Sequence, residues 1–194
     1  MSTARHRIDR RAFLIWSAAA GSSAAGILAG CGREASAGIR SANQRALVLG
    51  PGSVSAEGGS RFHLSMLELG EPSAEVRRVA LDFMAHGVVC DPTDPSRAVL
   101  FEKRGKGACE VDLAAGRVLR PLATRPEREF YGHGVFSPDG SLLYATETDV
   151  EAGYRGLIVI RDGRTLEERG EFPSFGESPH DCVLRDEGRT ILLV

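Results

Sequence analysis

A histidine returns every 47 residues along this chain, at His86, His133 and His180, and each heads a closely similar stretch of sequence. The three stretches read HGVVCDPTDPSRAVLFE, HGVFSPDGSLLYATE and HDCVLRDEGRTILLV. Each is a short apolar run, a polar turn and a second apolar run, which is the pattern of a β-hairpin. In the middle copy Pro138-Asp139-Gly140 supplies the turn, between Val135-Phe136 on one side and Leu142-Leu143-Tyr144 on the other. Further strands are expected from Ala108 to Leu113, Val118 to Leu122, Gly156 to Arg161 and Leu166 to Phe172, with Asp162-Gly163 turning between the last two. Four strands in a unit of about 40 to 50 residues is the signature of a β-propeller blade, in which neighbouring blades bury each other's faces. No helical period follows residue 30.

The first thirty residues read as an address. Arg5, Arg7, Arg10 and Arg11 form a basic start, and a weakly apolar run rich in Ala, Gly and Ser extends from Ala12 to Ala29. That run is long enough to span a bilayer, but its small residues and cleavage-like end predict a processed signal peptide. Arg10-Arg11-Ala12-Phe13-Leu14 resembles a twin-arginine export signal, with Asp9 where Ser or Thr is usual. Leu28-Ala29-Gly30-Cys31 resembles a bacterial lipobox, which implies that Cys31 becomes the lipidated first residue of a periplasmic, membrane-anchored protein. Several acyl chains on one cysteine, at about 0.8 kcal/mol per buried methylene, would hold it firmly to a membrane surface. The domain reading is therefore a signal peptide over 1–30, a linker over 31–45 and an incomplete propeller over 46–194.

Without residues 1–30 the chain carries 20 basic and 25 acidic side chains, a net charge of −5. A chain with that balance and no basic stripe has nothing to exchange for phosphate counterions, so nucleic acid is excluded as a partner. Cys90 and Cys182 fall on blades that are not neighbours, and Cys109 falls on a third strand, so no structural disulfide is predicted. Roughly 150 residues remain for folding, enough for about three to three and a half blades of this period, and fewer than a closed ring needs. Val194 ends the chain inside the apolar run Thr190-Ile191-Leu192-Leu193-Val194. An open strand edge of that kind templates aggregation, so the expectation is the front half of a larger propeller.

The run Phe130-Tyr131-Gly132-His133-Gly134-Val135-Phe136-Ser137-Pro138-Asp139-Gly140, followed by Leu143-Tyr144-Ala145-Thr146-Glu147, resembles the bacterial family known as domain of unknown function 1513 (DUF1513). Glu171-Phe172-Pro173-Ser174, Pro179-His180, His86-Gly87 and Arg104-Gly105 extend the likeness, which runs from about Ala46 to the end. The resemblance implies a seven-bladed propeller related to YVTN and quinoprotein-like propellers, exported by the twin-arginine route. It also implies periplasmic iron-uptake or redox proteins as partners, and leaves the biochemical activity open. Glu129 and Phe175 depart from the family pattern, standing where many members carry histidine.

In YVTN-like blades the segment matching His133 to Ser137 is the innermost strand, which would bring His86, His133 and His180 to equivalent points around one mouth of the central channel. Inner-strand Cα atoms of adjacent blades are then about 6 Å apart. Imidazoles at that spacing can converge on one metal, with copper or iron the expected ion. The same repetition also fits three structural histidines, each tying the start of an inner strand to the backbone of the next blade. His63 has no repeat partner, and His6 belongs to the leader.

An enzyme is the rival reading. Glu102, Glu147, Asp149, Glu151 and Asp181 are expected near the channel mouth or its loops, a set compatible with lactonase-like hydrolysis around an axial calcium or with a metal-dependent oxidoreductase. Acidic residues at strand ends also serve simply as solvated turn formers. No nucleophile elbow, His-Glu-x-x-His helix, haem-attachment motif or phosphate-cradling loop is present. The stretch from Gly50-Pro51-Gly52 to Gly58-Gly59 joins two strands and reads as a hairpin or a blade-connecting loop.

Overall fold

The computed structural model describes residues 46–69 and 75–194. Arg10, Arg11 and Cys31, and with them the signal, lipobox and linker readings, lie outside the described residues. The described chain is an all-β propeller built from antiparallel strands. Strands β1 (Ala46–Ala56), β2 (Gly59–Leu69) and β3 (Arg77–Leu81) form one sheet. Strands β4 (Ala85–Cys90), β5 (Arg97–Gly105), β6 (Ala108–Asp112) and β7 (Arg117–Pro121) form a four-stranded blade. Strands β8 (Arg128–Phe136), β9 (Leu142–Asp149), β10 (Arg155–Asp162) and β11 (Glu168–Glu177) form the next. A final hairpin pairs β12 (Cys182–Arg185) with β13 (Thr190–Leu193).

The repeat places the opening strand of each unit innermost. β1 packs against β4, β4 against β8, and β8 against β12. The two complete blades also touch through backbone pairing of Lys103 with Tyr131 and of Gly105 with Phe130, which knits the end of β5 to β8.

Period-two alternation on β5 explains how the blades stack. Ala98 and Leu100 face the β1–β3 sheet and join Leu64, Met66, Val79, Leu81 and Val111 in one apolar layer. Val99 and Phe101 face the other way and meet Phe130, Phe136, Leu143 and Ala145 of the following blade. Because both faces are covered, β5 reads as an unbroken apolar run in the sequence where a surface strand would alternate. Burying a side chain the size of Phe101 stabilises the fold by about 3 kcal/mol.

Polar ties reinforce the seam between blades. Arg97 pairs with Glu110 and with Asp91 at 2.8 Å, and donates to the carbonyl of Gly163 at 2.6 Å in the next blade. Arg120 pairs with Glu110 at 2.6 Å and donates to the carbonyl of Arg164, also at 2.6 Å. The turn after Asp162 is thereby clamped by two guanidinium groups whose charges Glu110 and Asp91 together balance.

Turn chemistry follows the sequence. Asp139 Oδ1 accepts hydrogen bonds from Ser137 Oγ at 2.6 Å, Ser141 N at 3.0 Å and Ser141 Oγ at 2.8 Å, and these hold its pKa down at about 2. Asp162 Oδ1 accepts from the amides of Arg164 and Thr165.

Three local expectations are refined or corrected. Gly50 through Gly52 lie inside β1, paired with Ser65 through His63, so of the two readings the hairpin holds, with its turn narrowed to Glu57-Gly58. Eleven residues of continuous pairing outweigh the local turn propensity of glycine and proline there. Leu166 belongs to the β10–β11 turn, with φ of 63°, and fills the inter-blade core from that position. Glu147 is no solvated turn former. It is completely buried on β9 and pairs with Arg161 at 2.6 Å.

Candidate metal centre

Each of the three repeat histidines sits at an interruption of strand pairing. On β4 the register slips between Ala85 and Gly87, leaving His86 without a partner on β5. On β8 it slips between Phe130 and Gly134, which frees His133 in the same way. At the third position the amides of His180 and Asp181 both donate to the carbonyl of Val194, at 2.5 and 3.1 Å. Extra residues on one strand opposite fewer on its partner make a bulge, as at His86 and His133, and bulges re-aim side chains. Here all three aim at one point.

Small residues make the approach close enough. Gly132 adopts φ of 107°, and a Cβ there would stand 2.7 Å from Cδ2 of His86. A Cβ on Gly87 would run into the carbonyl of Gly132. The Gly-His and His-Gly pairings of the repeat therefore reflect contact between β4 and β8, in addition to any turn.

The imidazoles form a triangle. Ring centroids are 4.9 Å apart for His86 and His133, 4.9 Å for His133 and His180, and 5.6 Å for His86 and His180. One nitrogen from each ring lies within 4.8 Å of the others. A metal held at about 2.0–2.1 Å by three imidazoles keeps their nitrogens roughly 3.4 Å apart, so side-chain rotation alone brings the rings into range. The donor set is chemically suitable: neutral imidazole serves copper, zinc, iron and nickel.

The ring electrostatics favour the neutral form that a metal requires. Burial lowers the pKa of His86 below its ordinary value, and Lys103 and His180 add to this. His133 is lowered chiefly by burial, with His86, His180 and Lys103 acting in the same sense and Asp181 opposing them. His133 Nδ1 faces Asp181 Oδ1 at 3.7 Å, while its buried Nε2 has no hydrogen-bond partner. A carboxylate on one side of an imidazole and an unclaimed nitrogen on the other is how proteins orient a metal-ligating histidine.

The alternative structural role predicts ring-to-backbone hydrogen bonds across the blade seam. Among the described residues, the polar and ring-to-ring contacts of these side chains are to one another, to Asp181 and to Lys103, whose Nζ lies 2.9 Å from His180 Nδ1. Of the carboxylates expected around the mouth, only Asp181 reaches the triangle. Glu102 accepts from the amide of Gly107 and closes the β5–β6 hairpin. Glu147 pairs with Arg161, Asp149 pairs with Arg155 at 2.9 Å, and Glu151 is exposed. His63 lies on β2, paired with Gly52 and Ala80.

Sequence reasoning missed Lys103, which carries no repeat signal and reaches the rings only because β5 pairs with β8. It also missed a cleft of about 440 Å³ lined by Arg104, Glu129, Tyr131, Thr148, Tyr154 and Glu177 among others. Tyr131 hydroxyl accepts from Arg104 Nη2 at 3.1 Å, and hydrogen bonds from Ser178 and Arg104 lower its pKa. Phe175, by contrast, points to solvent and is 91% exposed.

Two solved structures show the architecture independently. The Cps50 (Swd1) β-propeller domain of Myceliophteria thermophila matches with a TM-score of 0.54 at 16% identity, over 73% of this chain and 47% of that one. Hydrazine synthase of Kuenenia stuttgartiensis matches with a TM-score of 0.55 at 14% identity, over 73% of this chain and 40% of that one. At such identities the likeness is one of fold, and the chain spans less than half the length of either protein. No curated protein matches the sequence. The sequence profile described as "Protein of unknown function (DUF1513)" covers residues 79–194, from within β3 to the end and including all three histidines, and the chain belongs to that family.

Proposed function

We propose that this protein is an exported, lipid-anchored metal-binding propeller that serves a periplasmic metal-uptake or redox system, holding a late transition ion at His86, His133 and His180. Among the ions that neutral imidazoles take, copper or iron suits the uptake or redox reading, and copper ranks higher in intrinsic affinity. The observation that carries this reading is the convergence of the three repeat-borne rings, with a buried, unpartnered Nε2 on His133. An unsatisfied buried polar atom costs about 1–3 kcal/mol, which a bound ion would offset. The leader and the lipobox supply the compartment and the anchor, and the −5 charge without residues 1–30 suits a cation carrier better than a nucleic-acid or anionic-lipid binder.

A metal-dependent enzyme is the second reading, favoured by the cleft beside Tyr131. The cleft draws polar and charged side chains together at Tyr131, two residues from His133, and convergent polar groups in a cavity are a feature of ligand sites. Elemental analysis of protein purified from the membrane fraction, beside a His86→Ala/His133→Ala/His180→Ala variant, tests the metal reading. Near-stoichiometric copper or iron that is lost in a still-folded variant supports it. Absence of metal in both, with the variant merely less stable, rejects it. Turnover of small lactones or redox dyes that is lost in the same variant would move the assignment to the enzyme.

A further inference from the structure

Lys103 stands against the site in a position that a carrier of cations would not be expected to tolerate. Its ammonium has three donors and no acceptor, so the 2.9 Å contact with His180 Nδ1 makes that nitrogen the acceptor. In a neutral imidazole the proton is then on Nε2. Neither nitrogen of His180 is available while the contact lasts: Nδ1 is taken by the lysine, and Nε2 has no free lone pair.

In the same position its Nζ lies 5.7 Å from the centroid of the Tyr131 ring, within cation–π range. Tyr131 also lines a cleft with Arg104, Glu129 and Glu177. The backbone pairing of Lys103 with Tyr131 fixes the root of the side chain, so withdrawal needs only rotation of its four-carbon stem.

Resting on the metal reading above, we infer that Lys103 is a displaceable plug of the three-histidine site. Its ammonium holds His180 in a form that cannot ligate, and it must withdraw from His180 Nδ1 for an ion to enter. The contact lowers the apparent affinity for every ion by the same factor, so only ions that imidazole binds tightly, such as copper, load the site, while a hard cation such as magnesium does not.

Two measurements on the full chain test this. The first is competition titration with copper(II) and zinc(II) of the parent protein, Lys103→Met, and Lys106→Met as a control for charge. Lys106 lies on the same hairpin but donates to the carbonyl of Pro126. Lys103→Met is expected to bind copper about tenfold more tightly, equivalent to about 1.4 kcal/mol, with Lys106→Met unchanged. The second is the nitrogen NMR spectrum of His180 in metal-free protein, expected to show Nδ1 as acceptor in the parent and a shift toward mixed tautomers in Lys103→Met. Equal copper affinity in parent and Lys103→Met, both lost on His133→Ala, would keep the metal site and overturn the plug. Copper binding by neither would overturn both. An unchanged His180 tautomer overturns the plug whatever the metal result. Lys103→Gln provides a second uncharged variant should Lys103→Met melt non-cooperatively.

Discussion

The imidazole of His86 lies directly against the Cα of Gly132 on the neighbouring blade, so closely that a methyl group at that position would stand 2.7 Å from Cδ2 of the ring. The glycine also holds φ of 107°, a conformation that side chains rarely adopt. Gly132→Ala is therefore expected to destabilise the fold by about 1–3 kcal/mol, from strain and overpacking together. Thermal unfolding would register this as a drop of about 2–4 °C per kcal/mol. Because His86 is the group displaced, copper binding by the folded variant should fall more than the melting shift accounts for.

A second prediction concerns Arg161 and Glu147, a pair buried between β9 and β10 with side chains 3% and 0% exposed. Glu147 Oε2 also accepts from Thr124 Oγ1 at 2.5 Å, and Arg161 lies 5.4 Å from the Phe130 ring centroid and donates to the carbonyl of Leu166. Arg161→Met leaves a carboxylate stranded in an apolar layer and should cost about 3–5 kcal/mol. Arg161→Met combined with Glu147→Leu should recover much of that loss. A denaturant-melting cycle over the four proteins measures the coupling, and additive losses would refute it.

Stability of the metal-free protein should depend on pH through the ring. The folded pKa values of His86 and His133 lie below the ordinary value of 6.5. His133 faces Asp181, His86, His180 and Lys103, and the three cationic or ionisable bases prevail with burial over the single carboxylate. The unfolded chain thus takes up protons at about pH 6.5 that the folded chain refuses until lower pH. The stabilisation is complete above about pH 6.5 and is lost as pH falls through the folded values. Melts from about pH 8 to 5 should show this slope, and His86→Asn/His133→Asn should flatten it. The carboxylates of Asp91, Asp139 and Asp149 are lowered and act in a more acidic window.

Thiol chemistry offers a fourth check. Cys109 and Cys182 are buried, and burial raises both pKa values to about 12. Alkylation at about pH 8 should leave both unmodified for hours in the native protein and complete within minutes in denaturant, since the thiolate is the reactive form. Peptide mapping by mass spectrometry distinguishes the positions. Rapid native labelling of Cys182 would show that the inner edge formed by β12 opens readily.

The hairpins, the blade period and the inner placement of the histidines were legible in the sequence because each depends on neighbours a few residues apart or on exact repetition. Pro138-Asp139-Gly140 turns wherever it stands, and a 47-residue period with four strands has few ways to bury its faces. The Gly50 to Gly59 stretch was legible as a hairpin or a connecting loop, while how far its strands run through Gly50 to Gly52 was visible only once they were paired. Glu147 looked like one more acid at a strand end because its counter-ion Arg161 lies on another strand. Lys103 carried no mark at all, since it meets His180 only through the pairing of β5 with β8. The sequence by itself determined the architecture and the three positions around the axis, through local propensity and periodicity. Which nitrogens face each other, which are already occupied and which carboxylate comes within reach were decided by tertiary structure alone, because bulges, tautomers and ion pairs depend on distances between blades that no spacing along the chain encodes.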